Sequence, residues 1–131
     1  MCGRREPLLY INDMVEAAER ILDVCDGVPD DRIMKDADRS DIILWRLTVL
    51  GEVAKAVPAE VRTAHPEIAW QEAARLRDRV VHRYEGIDPG QIVVVVRMDL
   101  PRLLTLLRPL RTELMDAWKV RQDRLGGVAE W

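Results

Sequence analysis

Several absences restrict what this sequence can encode. It has no phenylalanine, only two cysteines and no apolar run long enough to cross a bilayer, which argues against a membrane-spanning protein and a disulfide framework. No Cys-x-x-Cys or His-x-x-x-His spacing occurs, and no glycine loop suited to cradle phosphate, which speaks against a metalloenzyme and against a nucleotidyltransferase. The net charge of −3 argues against a protein that coats nucleic acid. No signal peptide is recognisable. We expect a cytoplasmic protein without membrane contact, metal or cofactor.

What is present indicates a helical globular domain. The 131 residues suffice for one core, and the 48% of hydrophobic residues are mainly leucine, valine, isoleucine and alanine. We predict a single domain over residues 1–131, with a core over about 8–110 and a C-terminal extension over 111–131. Cys25 falls on an apolar helix face and is interpreted as a small buried hydrophobe, whereas Cys2 lies in a frayed N-terminus.

Apolar residues recur at helical spacing along most of the chain. Predicted helices cover 8–25, 43–57, a short piece from 59 to "HPE" at 65–67, 70 to just before Gly86, and 89–114. Asp88 and Pro89 suit the N-cap and first position of the last helix. The segment "IVVVV" at 92–96 has strand propensity, but its apolar spacing continues to 114 and favours one helix, or two with a break at 99–101.

No second strand is evident to pair with that segment, so the predicted fold is all-α, an antiparallel bundle of four to five helices. The tail from about Asp116 is predicted to be loose despite Trp118 and Trp131.

The predicted helix at 70–85 places an arginine in its apolar stripe. Arg77 is seven residues from both Trp70 and Tyr84, and at about 100° per residue the three side chains lie within roughly 20° steps of one another. A guanidinium on a buried face needs a carboxylate, a phosphate or a wet cleft. A structural ion pair or an arginine extending to the edge of the bundle is as good an interpretation as a functional cleft, which can lie at a dimer interface.

His82 does not share that face. It follows Arg77 by five residues, about 140° round an ideal helix, but shares a face with Asp78, which can orient its imidazole. Both side chains can act on one phosphate only if the last helical turn distorts or a second subunit supplies one of them.

Residues 75–83 form a local patch of charge +3 within the acidic chain. Four arginines contribute to it against Asp78: Arg75, Arg77, Arg79 and Arg83. The patch can attract phosphate or be a solvated helix face.

The same region resembles HEPN-domain ribonucleases. Arg77, His82 and Tyr84 match their R-x4-6-H-x-Y motif. Four blocks resemble the HepT-like branch in order and spacing: "LGEVAKAV" at 50–57, "HPEIAW" at 65–70, "LRDRVVHRYEGID" at 76–88 and "DLPRL" at 99–103. The resemblance covers roughly residues 8–110. One departure is Asp78, since asparagine often follows the motif arginine in this family.

This resemblance implies an all-α HEPN fold that forms a homodimer, with the motif helices of two subunits meeting at a basic cleft. It implies a toxin that cleaves RNA without a metal, paired with a minimal nucleotidyltransferase antitoxin of the MntA type. In this branch the antitoxin can inactivate the toxin by transferring AMP to the motif tyrosine, here Tyr84.

The chemistry of the motif residues agrees with that expectation. RNA is cleaved when its 2′-hydroxyl attacks the adjacent phosphorus, which needs an acid or base near neutral pKa and positive charge on the phosphate. We expect His82 to be the general acid/base, Arg77 to clamp the phosphate and Tyr84 to position the RNA. Asp78 would support them, and Arg75, Arg79 and Arg83 would bind RNA.

Two other interpretations stay open at this stage. One is a non-catalytic helical adaptor that binds a nucleotidyltransferase and presents its substrate. The other is a structural helical domain in which a buried acid of the same subunit neutralises Arg77.

Overall fold

Helices make up most of the part of the chain that the computed structural model describes, residues 5–126. In chain order the elements are α1 (Pro7–Cys25), a 3-10 turn (Asp30–Arg32), α2 (Ala37–Ala56), α3 (Ala59–Ala64), α4 (Trp70–Ala74), α5 (Leu76–Val80), β1 (Val81–His82), β2 (Gly86–Ile87), α6 (Pro89–Val94), a π-helical turn (Val95–Asp99) and α7 (Leu100–Arg124). The π-helical turn joins α6 to α7 without interruption. The predicted all-α class is confirmed.

Local sequence signals explain where these helices begin and end. Asp36 caps α2 by accepting a hydrogen bond from Arg39 N–H at 2.9 Å. Asp88 caps α6 by accepting from Gln91 N–H at 3.1 Å, and Pro89 occupies the first turn, as predicted. Gly27 follows α1 with φ of +72°, a backbone conformation that favours glycine.

The core lies where α1 packs against α2 and α7. Its largest fully buried side chains include Ile11, Met14, Ile21, Ile43, Leu47, Leu50, Ile92, Leu100, Leu104 and Leu107. Cys25 is also fully buried, and burial raises the pKa of its thiol. The prediction that Cys25 behaves as a small hydrophobe is therefore confirmed. Between residues 5 and 126, no helix has the length and apolar character required to span a membrane.

The predicted helix at 70–85 differs most from the expectation. It is interrupted at Arg75, whose φ of −110° and ψ of 6° separate α4 from α5, and it ends at Val80 rather than just before Gly86. A two-stranded antiparallel hairpin, β1 with β2, replaces its last turns. The predictions of one helix to residue 85 and of no sheet are both wrong. Two adjacent β-branched residues, Val80 and Val81, favour this change from helix to strand.

The segment after the hairpin is helical throughout. The helical interpretation of 92–96 is confirmed, and the suggested break at 99–101 is instead a π-helical turn that ends at Asp99. The predicted loose tail from Asp116 is wrong as far as Arg124, where α7 ends. Arg121 hydrogen-bonds to Glu6, which ties this part of α7 to the start of α1. Cys2 and Trp131 lie outside the described residues.

Candidate active site

A short hairpin forms the centre of the candidate site. Val81 pairs with Ile87 and His82 with Gly86, which leaves residues 83–85 as a three-residue loop. Gly86 has φ of +83°, so a glycine is favoured where the chain turns back. The loop carries Arg83 and Tyr84 at its tip, and both are exposed.

Contacts from α5 and α6 hold the hairpin in place. At its base, the backbone N–H of Asp88 donates to the carbonyl oxygen of Val80 at 2.7 Å. Arg79 donates to Asp99 at 2.8 Å and to Gln91 at 3.1 Å, which ties α5 to the helical stretch that follows. Asp99 therefore neutralises Arg79, whose predicted role in binding RNA stays a prediction.

Arg77 is not on a buried face. Because α5 begins anew at Leu76, its buried residues are Leu76 and Val80, and the side chain of Arg77 is 50% exposed. The predicted position of Arg77 within a continuous apolar stripe is therefore wrong. Its ion-pair partner is its neighbour Asp78, across 3.9 Å between Arg77 Nη1 and Asp78 Oδ1. Residues 5–126 contain no buried charged side chain, so the ion pair with a buried acid that a purely structural role requires is not found there.

His82 faces a carboxylate that the sequence interpretation assigned only to helix capping. Its Nε2 lies 3.5 Å from Oδ2 of Asp88, and both side chains are about two-fifths exposed. Because a carboxylate only accepts, this contact favours a proton on Nε2. In a neutral imidazole with its proton on Nε2, the lone pair lies on Nδ1. The acid expected to orient His82 was Asp78, but the structure brings Asp88 to it.

Helix capping by Asp88 and its contact with His82 both lower the pKa of its carboxyl group. The pKa of Asp88 is lowered, first because the backbone N–H of Gln91 donates to its carboxylate and further because His82 faces it, while desolvation acts in the opposite direction. Asp88 thus stays ionised through the neutral range. One signal could have identified it beforehand, namely that it closes the same motif block as His82.

The remaining predicted site residues are accessible. Tyr84 is 89% exposed, and the guanidinium carbon of Arg83 lies 5.5 Å from the centre of its ring. Arg75 and Asp78 are also exposed. The structure thus assembles His82 with Asp88 and Arg83 with Tyr84, whereas Arg77 contacts Asp78 on α5.

The second histidine has its own carboxylate partners. His65 Nδ1 lies 3.2 Å from Glu67, and its Nε2 lies 3.4 Å from Glu113. In the described range, 5–126, no group of three or more histidine, cysteine, aspartate or glutamate side chains is arranged to hold a metal ion.

The chain is similar in sequence to proteins that are named as ribonucleases. A family model described as "Ribonuclease HepT-like" matches residues 14–110. A Thermococcus cleftensis protein named "Probable ribonuclease HepT" is 31% identical over 102 residues, which cover 78% of this chain and 93% of that protein. A Methanocaldococcus jannaschii protein named "Gamma-glutamylcyclotransferase and putative RNase" is 29% identical over 111 residues, 85% of this chain and 50% of that protein. No solved structure matches the chain.

The matched range contains all of α5, the hairpin and the π-helical turn that together form the candidate site. The match covers well over half of the chain, and the relative from Thermococcus cleftensis is aligned over nearly its full length. The chain therefore belongs to the HepT-like ribonuclease family.

Proposed function

We propose that this protein is a metal-independent endoribonuclease that acts as the toxin of a toxin–antitoxin pair. The observation that carries the proposal is the hairpin at 81–87, which ends α5 early and leaves His82 accessible beside Asp88. The same segment also supplies a cation, the exposed Arg77 on α5. Its ion pair with Asp78 is long, at 3.9 Å. Membership of the HepT-like ribonuclease family supports the choice of RNA as substrate.

Cleavage requires no nucleophile from the protein. The 2′-hydroxyl oxygen of one nucleotide attacks the adjacent phosphorus, its proton is taken up, and the bond to the 5′-oxygen of the next nucleotide breaks as that oxygen gains a proton. The products are a 2′,3′-cyclic phosphate and a 5′-hydroxyl end. His82 exchanges a proton with the reacting oxygens through Nδ1, while Asp88 fixes its orientation through Nε2.

Arg77 is suited to the phosphate. Its two terminal nitrogens match the spacing of two phosphate oxygens, and the charge on those oxygens grows in the transition state. The 3.9 Å contact to Asp78 is longer than a hydrogen bond, so RNA can displace it at small cost. The exposed Arg75 and Arg83 add positive charge that attracts the flanking backbone.

We further propose that the active form is a homodimer in which two copies of this surface face each other across a basic cleft. A second copy brings another Arg77 and another His82 to the same RNA, and the proposal rests on the family resemblance of the motif block at 76–88. The cognate partner would be a nucleotidyltransferase of the MntA type.

Tyr84 is the proposed site at which that partner transfers AMP. At 89% exposure, its phenolic oxygen is accessible for attack on the α-phosphorus of ATP, with pyrophosphate as the leaving group. The resulting adenylyl group adds bulk and negative charge at the tip of the hairpin and would repel RNA. Arg83, which already contacts the ring, adds a cation near the new phosphate.

The experiment that tests the proposed ribonuclease is RNA cleavage in excess EDTA by the purified protein, expressed without antitoxin. We expect the wild-type protein to release cyclic phosphate ends and His82→Ala to lose about 10²–10⁴-fold in rate, the usual contribution of a general acid/base. His65→Ala is the matched control, because it removes the only other histidine. It should leave cleavage unchanged.

Thermal unfolding distinguishes a catalytic loss from a structural one. His82 is partly exposed, so His82→Ala should leave the thermal midpoint nearly unchanged. A folded, unmodified dimer that cleaves no class of RNA would contradict the proposal and favour the non-catalytic adaptor.

A further inference from the structure

A groove next to Arg77 has no role in the reaction as described so far. It encloses about 290 Å³ between α2 and the segment α4–α5. Five of its lining side chains carry the argument that follows: Trp45, Glu52, Lys55, Arg77 and Asp78. Pockets for drug-sized ligands begin at roughly 300 Å³. A single nucleobase is smaller than such a ligand, so the groove has room for one base.

Trp45 is the most unusual side chain in this groove. It is 64% exposed although it lies on one of the long core helices. An indole exposed to this extent leaves a large apolar face in water. A binding partner that covers this face would gain the corresponding hydrophobic free energy.

The shape of the groove depends on a close contact between helices. At Gly51 an added Cβ would lie 3.0 Å from the carbonyl oxygen of Ala74, which is tighter than most Cβ contacts, so α2 approaches α4 closely at this glycine. This approach brings the exposed face of α2, with Trp45, beside Arg77 on α5. The groove is therefore a product of the packing of two helices and not of a loop.

Charged side chains line the same groove as the indole. Lys55 Nζ lies 2.9 Å from Glu52, and the pKa of Lys55 is raised by this hydrogen bond and by the charge of Glu52, with a further contribution from Asp78 across the groove. Protein–protein interface cores are depleted in charged residues. An aromatic face with hydrogen-bonding groups at its margins is instead typical of a site for a base, which stacks through its ring and pairs through its edge.

We propose that this groove binds one base of the RNA substrate, stacked on Trp45, next to the phosphate held by Arg77. This inference rests on the proposed function and specifies how the substrate is positioned. A purine ring system covers more of the indole face than uracil does, so the groove favours purine bases over uracil. Trp45 is then a positioning residue that holds the strand in register with His82.

Binding can be measured separately from cleavage. A fluorescently labelled RNA with 2′-O-methyl groups throughout cannot be cleaved, and its anisotropy reports binding to the full-length protein. We expect Trp45→Ala to weaken binding about tenfold, within the range for loss of one base stack, whereas Trp45→Phe retains a ring and loses less than threefold. Trp118→Ala on α7 is the matched control outside the groove and should bind as wild type. An oligo-adenylate should bind more tightly than an oligo-uridylate, and Trp45→Ala should reduce this preference.

Three results would overturn this inference. Unchanged binding by Trp45→Ala would show that no base stacks there. A wild-type protein that does not bind RNA would exclude the groove as a base site and would contradict the proposed function as well. If light scattering shows that Trp45→Ala separates a wild-type dimer into monomers, Trp45 belongs to an interface between copies of the chain. RNA binding that depends on Trp45 without any cleavage would instead support the inference and contradict the proposed ribonuclease.

Discussion

At the scale of single residues, neighbouring arginines of one sequence run have different environments. Arg79 donates to both Asp99 and Gln91, whereas Arg77 makes a long ion pair of 3.9 Å with the adjacent Asp78. Their sequence contexts are similar, and both belong to the basic patch at 75–83. Arg79 therefore stabilises the structure around the site, whereas Arg77 is available to bind a phosphate.

We expect removal of Arg79 to lower mainly the stability of the protein and removal of Arg77 to lower mainly its activity. Arg79→Ala should lower the free energy of unfolding by about 1–2 kcal/mol, because it removes two partly buried hydrogen bonds and leaves Asp99 unpaired. Arg77→Ala should change stability by less than about 0.5 kcal/mol and abolish most RNA cleavage.

Urea unfolding followed by circular dichroism measures the stabilities, and initial cleavage rates measure activity. Arg77→Lys is the control for charge without the planar guanidinium and should recover only part of the rate. Equal destabilisation by both alanine variants would contradict the distinction drawn between the two arginines.

At the scale of elements, the start of α6 links folding to the candidate site. Asp88 caps the helix through its carboxylate, joins the hairpin to α5 through its backbone N–H and faces His82. A single residue therefore positions the helix start, the hairpin and the imidazole relative to one another.

The charge and the capping ability of Asp88 can be separated by substitution. Asparagine caps helices as well as aspartate does, so Asp88→Asn should lose only the charge, whereas Asp88→Ala should also lose the capping free energy. Because the native pKa of Asp88 is lowered, its charge stabilises the fold above the unfolded pKa near 3.8, and this contribution is lost as pH falls through the native value.

Thermal midpoints of wild type and Asp88→Asn should therefore differ at pH 7 and converge at the lowest pH values. Midpoints recorded at intervals from pH 7 down to the acid limit of folding test this expectation. A difference that stays constant across the range would show that the charge of Asp88 contributes nothing.

The close contact of α2 with α4 gives a second expectation for an element. Gly51→Ala adds a Cβ 3.0 Å from a backbone oxygen of α4, so that backbone must shift by a few tenths of an ångström. Overpacking typically costs about 1–3 kcal/mol, which exceeds the roughly 1 kcal/mol that alanine gains over glycine in a helix. We expect a net loss of stability of about 1 kcal/mol by urea unfolding. A variant more stable than wild type would mean that α4 shifts away from the new Cβ without a loss of packing free energy.

At the scale of the whole molecule, the hairpin tip at 83–85 and most of the charged side chains of the basic patch at 75–83 are exposed to solvent in the single chain. Arg75, Arg77, Arg83 and Tyr84 are all exposed, so a second copy or a modifying partner can reach them. The dimer and the partner are proposals that can be tested on the intact protein.

We expect light scattering to give a mass twice that of the 15.1 kDa chain at micromolar concentration. A monomer at that concentration that still cleaves RNA would contradict the proposed dimeric site.

Co-expression with the nucleotidyltransferase should add one adenylyl group, the mass of AMP less one water, to the chain and abolish cleavage. Tyr84→Phe is the control, since it lacks the acceptor oxygen and should stay unmodified. Intact-protein mass spectrometry measures the addition. AMP found on any other residue, or cleavage by a fully modified protein, would contradict the proposed role of Tyr84.

Most of the fold could be predicted from local patterns. The periodic apolar residues of α1 and α2, the stop at Gly27 and the cap at Asp88 depend on neighbours within about one helical turn, so the sequence alone determined them. The motif residues Arg77, His82 and Tyr84 were found through their spacing and the family resemblance, and their roles stay predictions.

The tertiary structure decided the end of α5 and the surroundings of His82. Periodicity extends a helix through 81–85, but Asp88 N–H donates to Val80, Arg79 pairs with Asp99, and Gly86 provides the turn. These contacts join residues up to 20 positions apart and depend on how the segments pack. The proximity of Trp45 to Arg77 likewise follows from the close approach of α2 to α4 at Gly51. Local spacing determines which residues can be helical, whereas the long-range contacts decide where the helix must end.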